Sequence, residues 1–461
     1  MIRSIRESLS LYTRFDTGDG FFKQYARSIL DVTKRSGVSA HRNITLSETH
    51  TKLIAQAQEQ NILHKDIGLV RALRLEGGLY YYDVVLRSID GGLFSRGTSL
   101  RLDEAVARAF GELYERISMR FVPARESVTY ASCRELENKN TASLKLTDLP
   151  QATQAQKEVA PEMYWSDESV FGWVEAHNIY TNEAALIPAQ LAHWGYRRRE
   201  DEPLLGQIST HGLGAGYTPE EALTSASSEL VQRHSFFSYW YAFKAPPKID
   251  VESVLRARGT HPYIKKLIGA VRTYGLDIHL LDCTLPSSTP SVAVVLTRAG
   301  LGWVVGMSTS TSYEKAIERG LCEALSTYVW TMNTVQESES SVFDEKEMPS
   351  GFCDRGITDR ARVLWWSEEK TAAGGSFFLT GKERSFEELP VRGVTSVEAL
   401  RHFSKGQAFV RYAKQPYLEQ AGFHSVMTIA PHMYRLALHE TMSTPVLHGI
   451  EPKNRYPHPF P

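Results

Sequence analysis

The chain has 461 residues, 42% hydrophobic and 23% charged, enough for a large buried core and ordinary for a globular protein in water. With 52 basic and 53 acidic residues the formal net charge is −1, which gives no electrostatic reason to expect a nucleic-acid or membrane-surface partner. No secretory h-region opens the sequence, no apolar run reaches membrane-spanning length, and Cys133, Cys283, Cys322 and Cys353 form no CxxC pair, so a cytoplasmic protein with reduced thiols is expected.

In chain order, residues 1–65 read as a separate helical segment. FFKQYARSILDVTK from Phe21 has apolar residues at helical spacing, and Leu46 to Gln60 is polar and helix-prone. From Ile67 the pattern changes to β-rich runs, Ile67–Leu75 and Leu79–Leu86, with Gly77-Gly78 between them as a hairpin turn. Gly91-Gly92 then leads through Phe94-Ser95-Arg96-Gly97 into a helix. Residues Glu135–Glu162 are polar and read as a surface loop or mobile segment. A strand is expected over Ala184–Ala192, and the loop His211-Gly212-Leu213-Gly214-Ala215-Gly216 opens a second helix. Its start is well marked: Thr218 as N-cap, Pro219 at the first helical position, Glu221 three residues after the cap. Ser291–Leu296 and Gly302–Met307 read as paired strands before a third helix starting at Thr311 with Glu314. Gln336–Gly356 is an acidic, loop-like stretch, and Phe409–Tyr412 and Val426–Ala430 are candidate strands. The expected fold is a mixed α/β (α+β) core over residues 66–461, with insertions.

One helical frame occurs three times: AVARAFGELYER from Ala105, ALTSASSELVQR from Ala222, AIERGLCEALST from Ala316. In each, Ala is followed seven residues later by Glu: Glu112, Glu229 and Glu323. Seven residues is close to two helical turns, so Ala and Glu share a mostly small, apolar face expected to be buried. A buried carboxylate is costly unless something compensates it, and gathering several is the usual way to hold a metal. In the first repeat Glu112, Glu115 and Arg116 fall at i, i+3 and i+4, a spacing suited to a divalent cation plus phosphate. The bland alternatives are a solvated Glu/Arg face and small residues serving helix packing alone.

Other chemistries find little support. HGLGAG lacks the GxGxxG spacing of a dinucleotide site and can equally be a tight turn. Thr380-Gly381-Lys382-Glu383 lacks the rest of a P-loop, His439-Glu440 lacks an HExxH partner, and no GxSxG elbow is present. The aromatic run Phe236–Tyr241 reads first as core and second as a substrate wall. The sequence ends Asn454-Arg455-Tyr456-Pro457-His458-Pro459-Phe460-Pro461, a stiff alternating-proline tail that either binds a partner, is inert, or places the Pro461 carboxylate at a defined point.

Together these features resemble the YcaO-domain family over about Ile67–Pro461. The markers are the turn before a helix ending in GELYER, the STHGLGAGYTPEEA loop and helix with ELVQR, the third Glu helix, and the PHPFP end. The resemblance implies a non-P-loop site for ATP and Mg2+ between the Glu-bearing helices. It makes Glu112, Glu115, Glu229 and Glu323 metal residues, sets Arg96, Arg116 and Arg233 near phosphate, and puts His211 and Gln232 in the nucleotide site. It implies an ATP-dependent cyclodehydratase that turns Cys, Ser or Thr of a ribosomal precursor peptide into an azoline, as in thiazole/oxazole-modified microcins, bacteriocins and related antibiotics. There the Pro461 carboxylate is the candidate proton acceptor. Expected partners are the precursor peptide, a separate leader-binding protein, a flavin-dependent azoline dehydrogenase from family context, and a second copy of the chain. Gln232 stands where Glu is expected, His211 where Asn is common, Ser326 where Gln is expected and Arg108 where Ser is frequent. These departures motivate the alternative of a non-catalytic scaffold, and thioamide or amidine formation is a third reading.

Overall fold

Each run of the repeated frame becomes a helix in the computed structural model, and each helix follows the edge strand of a different β-sheet. The structure describes residues 12–16, 63–74, 80–88, 93–123, 127–258, 260–337, 359–390, 393–415, 418 and 423–460. Strands β1 (Tyr12–Asp16), β2 (Leu63–Arg74), β3 (Tyr80–Ser88) and β4 (Phe94–Ser99) precede helix α1 (Leu102–Ser118). Strands β5 (Thr129–Ser132), β6 (Val170–Asn178), β7 (Ala184–Pro188) and β8 (Leu213–Gly216) precede α2 (Pro219–Tyr241). Strands β9 (Lys248–Ile249), β10 (Asp277–Asp282), β11 (Ser291–Arg298) and β12 (Leu301–Thr309) precede α3 (Tyr313–Glu337), and β13 (Glu383–Arg384), β14 (Phe409–Tyr412) and β15 (His424–Ile429) follow. The sheets run β1-β2-β3-β4, β5-β6-β14-β15-β8 with β7 on β6, and β12-β11-β10-β9-β13.

The unbroken apolar runs of β11 and β12 are explained by burial on both faces. Val292, Val294, Leu296 and Val304 pack with α3 and the helix Pro262–Thr273. The alternate residues Ala293, Val295, Val305 and Met307 pack against Phe236, Phe237 and Trp240 of α2. The aromatic run of α2 is therefore core, with Phe236 and Trp240 stacked at 5.4 Å between centroids.

Local signals set the helix starts. Thr218 Oγ1 accepts from Glu221 N (3.1 Å) with Pro219 in the first turn, while Glu221 Oε2 accepts from Tyr217 N (3.1 Å). The cap of α3 is Ser312, one residue beyond the expected Thr311: Ser312 Oγ accepts from Lys315 N (3.3 Å), and Glu314 instead accepts from His261 N. The strand expected over Ala184–Ala192 stops at Pro188, and Ala189–Ala192 forms a buried helical turn.

Two expectations need correction. Glu135–Glu162 is not a loose loop. It contains helices Cys133–Asn138 and Gln154–Val159, each closed by a reciprocal capping box: Ser132 with Glu135, Thr153 with Gln156. Its sparse leucines Leu136, Leu144, Leu146 and Leu149 are all buried, and this local capping and core contact outweigh a polar composition. At the N-terminus, Tyr12–Asp16 lies in the stretch expected to be helical but is a strand, antiparallel to β2 with Tyr12 opposite Leu73; β2 itself begins at Leu63. The helical runs expected from Phe21 and Leu46, the turns at Gly77-Gly78 and Gly91-Gly92, and residues 338–356 of the acidic stretch lie outside the described residues.

The proline-rich tail is threaded into the core. Pro457, His458, Pro459 and Phe460 are buried. Trp240 Nε1 donates to the Tyr456 carbonyl (3.1 Å), and Arg362 Nη1 (2.9 Å) and Trp366 Nε1 (3.1 Å) both donate to that of His458. Arg362 in turn forms an ion pair with Glu440 at 2.6 Å, both fully buried. Pro461 itself lies outside the described residues.

Candidate active site

The repeated frame has a common structural purpose. In every repeat a backbone N–H in the edge strand, or in the turn just before it, donates to the carboxylate of the glutamate that follows it. Arg96 N donates to Glu112 Oε2 (2.6 Å), Gly212 N to Glu229 Oε2 (2.9 Å) and Met307 N to Glu323 Oε2 (3.0 Å). Glycines in the strands make this close approach possible. A Cβ on Gly97 would lie 1.9 Å from Ala105 O, one on Gly214 2.3 Å from Ala222 O, and one on Gly306 2.2 Å from Ala324 N. Strand and helix backbones are in direct contact there, which only glycine in the strand permits. Gly214→Ala is therefore expected to lower stability by about 1–3 kcal/mol, read as an earlier urea midpoint.

Contacts between repeats close a ring. Arg96 Nη2 donates to Ser326 O (2.8 Å), tying the first repeat to the third. Gln232 Nε2 donates to Met307 O (2.6 Å), tying the second to the third. The first and second meet electrostatically: burial, then the charges of Glu112 and Glu229, push the carboxyl of Glu115 well above its ordinary value, against the pull of Arg116. Burial likewise raises Glu229 and Glu323, and Arg233 acts on both in the opposite direction. Arg116 pairs with Glu112 at 2.6 Å.

Arg233 carries buried donors that nothing in the described structure satisfies. Its Nε and Nη1 are buried with no hydrogen-bond partner, while its guanidinium carbon lies 4.4 Å from the centre of the Phe460 ring. His211 is buried at the loop that anchors Glu229; its Nδ1 accepts from Leu436 N (3.4 Å). Burial, with Arg435 and Arg233, holds its pKa well below the ordinary value, so the ring is neutral. A groove of about 610 Å3 runs past Ser228, Glu229, Gln232, Ser308, Thr309 and Arg319.

The structure thus gathers Glu112, Glu115, Arg116, Glu229, Gln232, Arg233 and Glu323 about one place, with Arg96 and His211 in the surrounding shell. Among the described residues no three His, Cys, Asp or Glu side chains converge on a single point at ligating distance. The donor set nevertheless fits a hard divalent cation with a polyphosphate. The carboxylates repel one another, which a cation relieves, and a buried guanidinium lacks the acceptors an anion brings. Sequence reasoning missed Arg319, which borders both this groove and a second recess of about 370 Å3 beside Arg108. Its signal was its place four residues before Glu323, one turn earlier on the same face.

The fold has counterparts among known proteins. A heterocyclase solved with substrate and cofactor has a TM-score of 0.60 at 18% identity over 77% of this chain, which spans 48% of the heterocyclase. YcaO from Methanopyrus kandleri, bound with AMPPCP and Mg2+, has a TM-score of 0.59 at 16% identity, covering 90% of this chain and 96% of that one. The E. coli microcin synthetase McbBCD complex with pro-MccB17 bound has a TM-score of 0.53 at 13% identity, covering 79% of this chain and 93% of that one. These likenesses show the fold. An uncharacterized protein of Methanothermobacter thermautotrophicus is 25% identical over 255 residues, 53% of this chain and 60% of that protein. The family model described as YcaO cyclodehydratase, ATP- and Mg2+-binding, matches residues 96–434, well over half of the sequence. The chain therefore belongs to the YcaO family of cyclodehydratases, with ATP and Mg2+ as its cofactors.

Proposed function

We propose that the chain is an ATP-dependent cyclodehydratase that forms azolines in a ribosomal precursor peptide. The supporting observation is the threefold backbone-to-glutamate anchor together with the two unbonded buried donors of Arg233. In this reading a Cys, Ser or Thr side chain adds to the preceding backbone carbonyl, and the amide oxygen takes the γ-phosphoryl group of ATP, releasing ADP. The oxygen then departs with phosphate, leaving the ring C=N bond, and the peptide has lost one water. Mg2+ supplies charge neutralisation at the phosphates. Glu112, Glu115, Glu229 and Glu323 would hold it, and Arg233 would meet phosphate oxygens with its unpaired N–H groups. Arg116 sets Glu112, and Arg96 keeps the first and third repeats in register. Gln232 positions the Met307 peptide, while His211, neutral and buried, supports the loop that anchors Glu229. The carboxylate of Pro461 is proposed to accept the proton released on ring closure.

A separate protein that captures the precursor leader is part of the proposal, as is a flavin-dependent dehydrogenase acting on the azoline. The likeness to the E. coli microcin synthetase McbBCD complex with pro-MccB17 bound supports the first. The test is direct. The chain, a Cys/Ser/Thr-rich precursor and the leader-binding partner are incubated with Mg2+ and ATP. ADP, phosphate and a peptide lighter by one water are expected together, and an unaltered peptide in the complete mixture rejects the proposal. A second reading, a catalytically silent peptide-holding subunit, is favoured by Gln232 replacing a carboxylate. Mg2+-dependent ATP binding separates the two, since the silent subunit binds none.

A further inference from the structure

Phe460 sits at the junction of two features that the sequence presents as unrelated, the tail and the repeated frame. Its ring is buried, packs edge-on against Phe236 of α2 at 4.5 Å, and lies under the Arg233 guanidinium at 4.4 Å. An arginine in the middle of the carboxylates would ordinarily be drawn into a direct ion pair, as Arg116 is with Glu112. Arg233 makes no such pair among the described residues, and two of its donors are left buried and unbonded. An aromatic face attracts a guanidinium through the ring quadrupole without using any of its N–H donors. The donors therefore remain available while the flat group is held in place.

The support beneath that ring is rigid. The backbone one turn of tail earlier is fixed by donors from Trp240, Arg362 and Trp366, and Pro457 and Pro459 restrict the chain on either side of His458. We infer that Phe460 is a positioning residue for Arg233: the tail holds this arginine by its face, away from Glu229 and Glu323, so that its N–H edge is presented to a phosphate of the bound nucleotide. This rests on the reading of the three-helix site as a Mg2+–ATP site. It adds that the tail contributes to nucleotide affinity as well as to any chemistry at its end. By linkage, a bound nucleotide should in turn steady the tail.

The test uses the full chain and Mg2+–AMPPNP as probe, with affinity measured by calorimetry and folding by thermal unfolding. Phe460→Leu keeps an apolar side chain and removes the π face; Phe460→Trp keeps the face. The expected result is a Kd raised about five- to tenfold by Phe460→Leu at a near-parental Tm, and restored by Phe460→Trp, the scale of a desolvated cation–π contact. In an Arg233→Gln background, Phe460→Leu should change the Kd no further, which a general packing role would not produce. Parent-like affinity for Phe460→Leu, equal weakening by Leu and Trp, or additivity in the Arg233→Gln background each overturns the inference while leaving the Mg2+–ATP reading standing. No binding by the parent chain overturns both.

Discussion

Glu115→Gln should stabilise the ligand-free protein and at the same time lower ATP-dependent turnover by about 100-fold or more. The two effects have one origin. The Glu115 carboxyl is raised by burial, then by Glu112 and Glu229, and Arg116 offsets only part of this. A neutral amide of the same shape removes the repulsion, and a gain of about 0.5–2 kcal/mol is the usual size of such a correction. In the proposed reaction it also removes a charge that would compensate a cation at the transferring phosphoryl group, where one lost electrostatic contact costs about 100–1,000-fold in kcat. Tm without nucleotide and steady-state ATP turnover read the two halves, and a drop in both would contradict the assignment.

The pH dependence follows from the same groups. Glu115, Glu229 and Glu323 all have raised pKa values, so the folded state binds protons more tightly than the unfolded one. Their contribution to stability is present at low pH and declines as pH rises from the ordinary carboxylate value through the raised ones. A cation needs the deprotonated forms, so the Tm gain from Mg2+–nucleotide should grow over that same window, and Glu115→Gln should flatten both trends.

Removing residues 457–461 should destabilise the protein severely for so short a truncation. Phe460 is 2% exposed, and loss of a buried phenylalanine side chain costs about 3–5 kcal/mol. Trp366 Nε1 and one Arg362 donor would lose the His458 carbonyl, at about 1–3 kcal/mol for each buried group left unbonded. Against a total of about 5–15 kcal/mol, the shortened chain should unfold at markedly lower temperature. Adding a single alanine after Pro461 distinguishes fold from chemistry. Phe460 keeps its seat, so Tm should stay parental, while dehydration should fail if the Pro461 carboxylate accepts the proton. Parental dehydration by the extended chain would remove that carboxylate from the mechanism.

Much of the site was readable in the sequence because its signals are local. Seven-residue spacing placed Glu112, Glu229 and Glu323 on comparable helix faces, and Thr218-Pro219 marked the start of α2. What was not readable depends on partners far along the chain. Arg362 meets His458 across 96 positions and Gln232 meets Met307 across 75, and no periodicity announces either. Leu136, Leu144, Leu146 and Leu149 were hidden by polar neighbours, although the capping boxes around them are written in four-residue strings. The apparent decay of the frame from Glu115 to Gln232 to Ser326 also changes meaning. Gln232 and the Ser326 carbonyl are the points at which the repeats are bonded to each other, so these positions serve assembly of the ring where Glu115 serves its charge.

The backbone N–H held by each of the three glutamates bears on which cation suits the site. Oε2 of Glu229 accepts from Gly212 N and Oε2 of Glu323 from Met307 N, which leaves Oε1 of each the freer oxygen, whereas Glu112 has Oε2 on Arg96 N and Oε1 on Arg116. Calcium is commonly chelated by both oxygens of a carboxylate in a roomy, high-number shell, whereas magnesium takes single oxygens in a tight octahedron and keeps places for phosphate and water. In the proposed site Glu229 and Glu323, tethered in this way, would be one-handed ligands, and the backbone that folds the sheets would thereby favour the smaller ion.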